Sequence, residues 1–115
     1  MNGYVPFDLT MIVSISKYVK NNWLLVEYGS SGNLLQDHGV CIIASLIFDR
    51  SFAKMKRILL QSNDCGDIGV TAVYKAFEAN PYEVCPEIDV INLRRNKVTE
   101  RGLARINPCP NFLII

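Results

Sequence analysis

The sequence has no close pair of cysteines, only one histidine, almost no net charge and no long apolar run. Its four cysteines, Cys41, Cys65, Cys85 and Cys109, are separated by 24, 20 and 24 residues, and His38 is the sole histidine. A closed zinc site draws four such ligands together and usually includes a close pair, so neither metal nor cofactor is expected. No apolar run reaches the roughly 18–20 residues that span a bilayer. The apolar LTMIVSIS near the N-terminus follows Asp8 and precedes Lys17 and Lys20, the reverse of a secretory signal's order. The expectation is therefore a soluble, intracellular, cytoplasmic protein with reduced cysteines. Twelve basic residues against eleven acidic ones leave a formal charge of +1, which gives no global attraction to nucleic acid or an anionic membrane. The cluster Arg94, Arg95 and Lys97 reads as solvated surface. SSGN at Ser30 to Asn33 lacks the Lys-Ser/Thr that a phosphate-binding loop requires.

What is present is apolar pattern. Half of the 115 residues are hydrophobic, enough for the core of one domain, though one this small is only marginally stabilised by burial. Asp8 can cap a helix from Leu9 to Lys20, with Leu9, Ile12, Val13, Ile15 and Val19 on a broad apolar face. Leu25, Val26 and Tyr28 read as a strand. Gly39 leads into VCIIASLIF, predicted helical to about Arg50. Met55, Ile58 and Leu60 mark a second strand, and a helix follows through Val70, Val73, Ala76 and Phe77 to Glu78 or Ala79. Asn80-Pro81 closes it, because proline cannot donate to a continuing helix. Ile88 to Leu93 reads as a third strand and LARI as a short helix. FLII at the end reads as another strand.

These units repeat. NLLQDHGV from Asn33, NDCGDIGV from Asn63 and NKVTERGL from Asn96 superimpose, the asparagines lying 30 and 33 residues apart. Leu35, Cys65 and Val98 share an apolar slot; Asp37, Asp67 and Glu100 share an acidic one; Gly39, Gly69 and Gly102 share the glycine. Upstream, Met55, Ile58 and Leu60 match Ile88, Ile91 and Leu93, while Leu25, Tyr28 and Ser30 match less well. CPNFLII from Cys109 repeats CPEIDVI from Cys85, which starts a further unit. A fixed period of this kind signals stacked units, each with an apolar face that only its neighbours can bury. An asparagine at each turn can satisfy backbone groups that the turn would otherwise leave unpaired. The glycines read as giving a tight approach to the helix, and the acidic residue lies near the helix start, where negative charge is favoured.

The pattern LxxLxLxxNxhxxxG followed by a helix resembles leucine-rich repeats, of the ribonuclease-inhibitor-like type. The resemblance covers about Trp23 to Ile115. It implies an α/β solenoid, a short horseshoe arc with a parallel concave sheet and convex helices. The expected division is a single domain, 1–115. Residues 1–22 form the helix of an incomplete leading repeat, and 23–54 and 55–87 are full repeats. A short repeat occupies 88–111, and 112–115 begins another. Ser30 in place of leucine and the short third repeat depart from the pattern. Three to four repeats imply part of a longer array, or self-association through uncapped ends.

Chemistry finds few candidates. Cys41 and His38 could serve a small hydrolase or transferase, with Asp37 orienting the histidine, but Asp37 and Cys41 occupy repeat positions, the latter matching Thr71 and Ala104. Cys65 reads as a small buried hydrophobe. The expected surface for a partner protein is the concave sheet face, with Glu27, Arg57, Leu59, Gln61, Asn92 and Arg94 as its residues; Arg is favoured at interface hot spots. Members of such families work as scaffolds, adaptors or regulators, and the resemblance implies a non-enzymatic interaction module with neither nucleic acid nor membrane as partner.

Overall fold

In the computed structural model, residues 27–29, 32, 35–78 and 84–115 are described. Strand β1 (Glu27–Gly29) is followed by helix α1 (Gln36–Phe48), β2 (Arg57–Leu59), α2 (Asp67–Glu78), β3 (Val90–Asn92), α3 (Glu100–Ala104) and β4 (Leu113–Ile114). The four strands form one sheet in the order β1-β2-β3-β4, every pair parallel. Parallel neighbours cannot be joined by a hairpin, and here a helix lies between each strand and the next. The class is α/β with a parallel sheet, as the sequence predicts.

Successive side chains of a strand point to opposite faces. Ile58, Ile91 and Leu113 lie side by side in register and are buried. They meet Val40, Ile43 and Ile47 of α1 and Val70, Val73 and Phe77 of α2 in a single core, which Phe52, Met55, Leu60 and Leu93 extend. Full burial of each such aliphatic side chain contributes about 1.5–3 kcal/mol. Helix α1 packs on α2 and α2 on α3. Phe112, just before β4, sets its ring 4.9 Å from that of Phe77 at an interplanar angle of 55°.

The boundaries differ from the sequence expectation in an informative way. The glycines were expected to precede the helices, yet Gly39, Gly69 and Gly102 lie inside the first turns of α1, α2 and α3. The third helix, expected over LARI, begins at Glu100, because Thr99 caps it: its side chain accepts from Gly102 N. Strand β3 is shorter than Ile88 to Leu93, since Ile88 N turns back to the Cys85 carbonyl at 3.2 Å. The expected helix Leu9 to Lys20, most of the first strand and Asn33 lie outside the described residues.

A further regularity was not expected. Gly32, Ser62 and Arg95, each immediately before a repeating asparagine, have φ of +70°, +58° and +59°. The turn is left-handed at all three positions, and only one of them is the glycine that such a conformation favours. Among the described residues, no helix is long and apolar enough to cross a membrane.

Candidate interaction surface

The repeating polar residues face sideways, from one strand–helix unit to the next. Asn96 Oδ1 accepts from Asn63 N at 2.9 Å and Cys65 N at 3.0 Å. Its Nδ2 donates to the carbonyls of Leu60 at 3.1 Å and Leu93 at 2.9 Å, one in each unit. The fully buried Asn63 repeats the arrangement one unit earlier: its Oδ1 accepts from Leu35 N at 3.3 Å and its Nδ2 donates to Gln61 O at 3.2 Å. An asparagine fits because it is both donor and acceptor and carries no charge to desolvate.

The acidic slot also reaches across. Asp37 lies in the first turn of α1, yet its Oδ1 accepts from Gly66 N at 2.9 Å and Gly69 N at 2.8 Å, at the start of α2. Gly66 stands immediately before α2 and has no side chain with which to cap it. Asp37 therefore supplies the cap that a serine or aspartate at position 66 would give. Asp67, one unit on, accepts from Thr99 N at 2.8 Å, and the Thr99 hydroxyl donates to its Oδ2 at 2.5 Å. These bonds, the hydroxyl's first, hold the Asp67 carboxyl below the usual carboxylate range, with Arg105 and Arg101 adding to the effect.

This traffic explains the glycines. A Cβ on Gly69 would run into Cys65 Sγ and come within 2.9 Å of Asp37 Oδ1 and 3.2 Å of Val40 Cβ. On Gly102 it would run into the Asp67 carboxylate and come 3.0 Å from Asp67 Cβ. Neither glycine needs positive φ. Gly102 is small so that the preceding unit's aspartate can approach the helix, and Gly69 so that both Cys65 of its own unit and the preceding unit's aspartate can.

The opposite face of the sheet is built by residues that differ from one unit to the next. Glu27, Arg57 and Val90 form one rung, and Gly29, Leu59, Asn92 and Ile114 the next. Arg57 is exposed; Leu59, Val90, Asn92 and Ile114 are half-buried. Just beyond lie Gln61, half-buried, and Arg94, exposed. The structure thus brings the six expected surface residues to one face and its margin, though of Glu27 only the backbone is described. Two of them are partly committed to the fold. Asn92 Oδ1 accepts from Arg94 N at 3.0 Å. Gln61 Oε1 is out of contact with solvent and has no hydrogen-bond partner among the described residues. Of the repeat positions, Asn63 and Asn96 carry the cross-unit bonds above, Gly39, Gly69 and Gly102 are buried, and Asn33 lies outside the described residues.

The cysteines are free thiols. Burial pushes the Cys65 thiol far up, with the Asp37 charge adding to it. Cys85, whose Sγ donates to Phe52 O at 3.1 Å, is pushed up to about 11 by burial and then by Glu87. Cys41 is raised by burial first and Asp37 second, opposite to the shift that activates a thiolate nucleophile. His38 is exposed, and among the described residues no hydrogen bond joins it to Cys41. No group of three or more His, Cys, Asp or Glu side chains among the described residues could hold a metal ion.

Two features escaped the sequence reading. Thr99 is a preferred capping residue directly before an acidic first turn, a signal legible in the sequence. Ile114 joins the open face because β4 pairs in register with β3, which only the structure displays. No protein-family model matches the sequence, and no curated protein matches it.

Proposed function

We propose that the chain is a short solenoid of the leucine-rich-repeat kind, similar to the ribonuclease-inhibitor type, and that it works inside the cell as a non-enzymatic protein–protein interaction module. One observation carries this reading: the repeating residues are used up between units, while the rungs on the other face of the sheet differ from strand to strand. Asparagine, aspartate and glycine are spent on neighbouring backbone. Arg57, Leu59, Val90, Asn92, Ile114 and Arg94 give that face a mixed apolar and basic character. Such surfaces suit scaffold, adaptor or regulatory work, in which affinity comes from a few anchors, with arginine prominent among them.

The test is an affinity-capture comparison of the wild-type chain with Arg57→Glu and Arg94→Glu, each first matched to wild type in thermal unfolding. The reading expects at least one specifically captured protein to be lost with either reversal. If neither reversal changes what is captured, the sheet face is not the binding surface.

A further inference from the structure

The third helix is the short one. Helix α1 runs for 13 residues and α2 for 12, but α3 for only five. At about 1.5 Å per residue, α3 lies along about 7.5 Å of a neighbour about 18 Å long. It packs on α2 at the start, where Asp67 meets Thr99, and stops at Ala104. Asp67, Tyr74 and Glu78 are seven and then four residues apart, so they share one stripe of α2. The far end of that stripe runs past the end of α3. What stands there is a hollow of about 520 Å³, between Tyr74, Phe77 and Glu78 of α2 and the residues Asn107, Pro108 and Pro110 that return the chain to β4.

The walls and the charge of this hollow agree on one kind of ligand. Phe77 is held by the core and by the Phe112 ring, which makes it a fixed floor. Half-buried Tyr74 adds a second aromatic wall, and the two prolines close the other side. Glu78 is exposed and is the only charged residue lining the hollow among the described residues; Lys75 lines a separate hollow between α1 and α2. The Tyr74 hydroxyl, the Glu78 carboxylate and the Asn107 side-chain amide have no hydrogen bond or ion pair among the described residues. Glu78 also ends α2, where the carbonyl end of the helix favours a positive charge. Aromatic faces attract a cation, a carboxylate pairs with one, and apolar walls take its stem. We propose that the hollow binds an organic cation, an ammonium or guanidinium group on an apolar stem. Its source is either an arginine or lysine side chain of a partner protein or a free substituted ammonium compound. The site is built from α2 and the loop before β4, not from the sheet face, so it does not rest on the proposed function.

The experiment is an NMR titration of the 115-residue chain with two cations, N-acetylarginine methylamide and benzyltrimethylammonium. The control is N-acetylcitrulline methylamide, which keeps the shape of the arginine compound without its charge. The proposal expects saturable shifts at the Tyr74 ring and the Glu78 carboxylate with at least one cation, and none with the citrulline compound. Whichever cation binds more tightly identifies the source, a partner's side chain or a free ammonium compound. Glu78→Gln and Tyr74→Leu, each first matched to wild type in thermal unfolding, should each weaken binding by about threefold or more. Should Tyr74→Leu unfold the chain, Glu78→Gln, at an exposed position, decides alone. Arg57→Glu on the sheet face should leave binding unchanged, which keeps this test apart from that of the partner face. No saturation by either cation, equal binding of the citrulline compound, shifts centred elsewhere, or binding indifferent to Glu78→Gln overturns the proposal.

Discussion

The starts of α2 and α3 solve one problem in two ways. Both helices have an acidic first residue and a glycine two positions later, and both receive an aspartate from the unit before. At α2 that aspartate is itself the cap: Asp37 takes the Gly66 and Gly69 amides, because position 66 has no side chain to offer. At α3 the cap is local. The Thr99 hydroxyl accepts from Gly102 N at 3.3 Å and donates to Asp67, which holds the capping residue and leaves the amide inside the helix to it. Helix α2 is thus tied to its neighbour by its own first turn, in half-buried surroundings beside Cys65 and Val40. Helix α3 could keep its first turn if the neighbour let go. The same repeat column can therefore couple two units tightly or loosely, depending on what stands immediately before the helix.

The largest effect should come from filling the space that the coupling needs. Gly69→Ala places a methyl between a buried sulfur, a carboxylate and Val40, and should cost about 3 kcal/mol in urea unfolding, the upper end of overpacking. At Gly102 the nearest atoms all belong to the half-buried Asp67, which can move aside by giving up its bonds to Thr99, so the cost of Gly102→Ala should be smaller. Equal costs would mean that the two junctions are equally tight, and the contrast would be lost.

A smaller effect separates cap from holder. Thr99→Ala removes a side-chain cap and should cost about 1 kcal/mol. It should also release Asp67. The folded carboxyl sits below its ordinary value of 3.8, so its contribution to stability is complete above about that pH and is lost as pH falls through the lower, folded value. In Thr99→Ala the Asp67 titration followed by carboxyl NMR should move up toward the ordinary value, and the stability difference from wild type should shrink in acid. An unmoved Asp67 titration would show that Thr99 is not what holds it.

Much of this was legible in the sequence. Column matching around Asn33, Asn63 and Asn96 gave the strand–turn–helix order, and the alternation around Ile58 and Ile91 gave the buried face of the sheet. What was not legible was direction. A column tells that Asp37, Asp67 and Glu100 are equivalent, but not whether each serves its own helix or the next. Only the distances from Asp37 to Gly66 and Gly69 reveal that it reaches forward. The glycines were misplaced for the same reason. A glycine beside a turn suggests backbone freedom, whereas Gly102 is needed for the absence of a Cβ next to another unit's carboxylate, and Gly69 for its absence between Cys65 and such a carboxylate. The sheet-face residues were identifiable by period alone, but their pairing into rungs, with Ile114 among them, depends on register.

The most direct test of the cross-unit cap is amide exchange in Asp37→Ala. The loss of two hydrogen bonds to a charged acceptor should cost about 2 kcal/mol in overall stability. More tellingly, the Gly66 and Gly69 amides should lose protection under conditions where the rest of α2 stays folded, while the Gly102 amide, capped by Thr99, keeps its protection. If Gly69 remains as protected as in wild type, or if Gly102 loses protection equally, the start of α2 is not held by its neighbour.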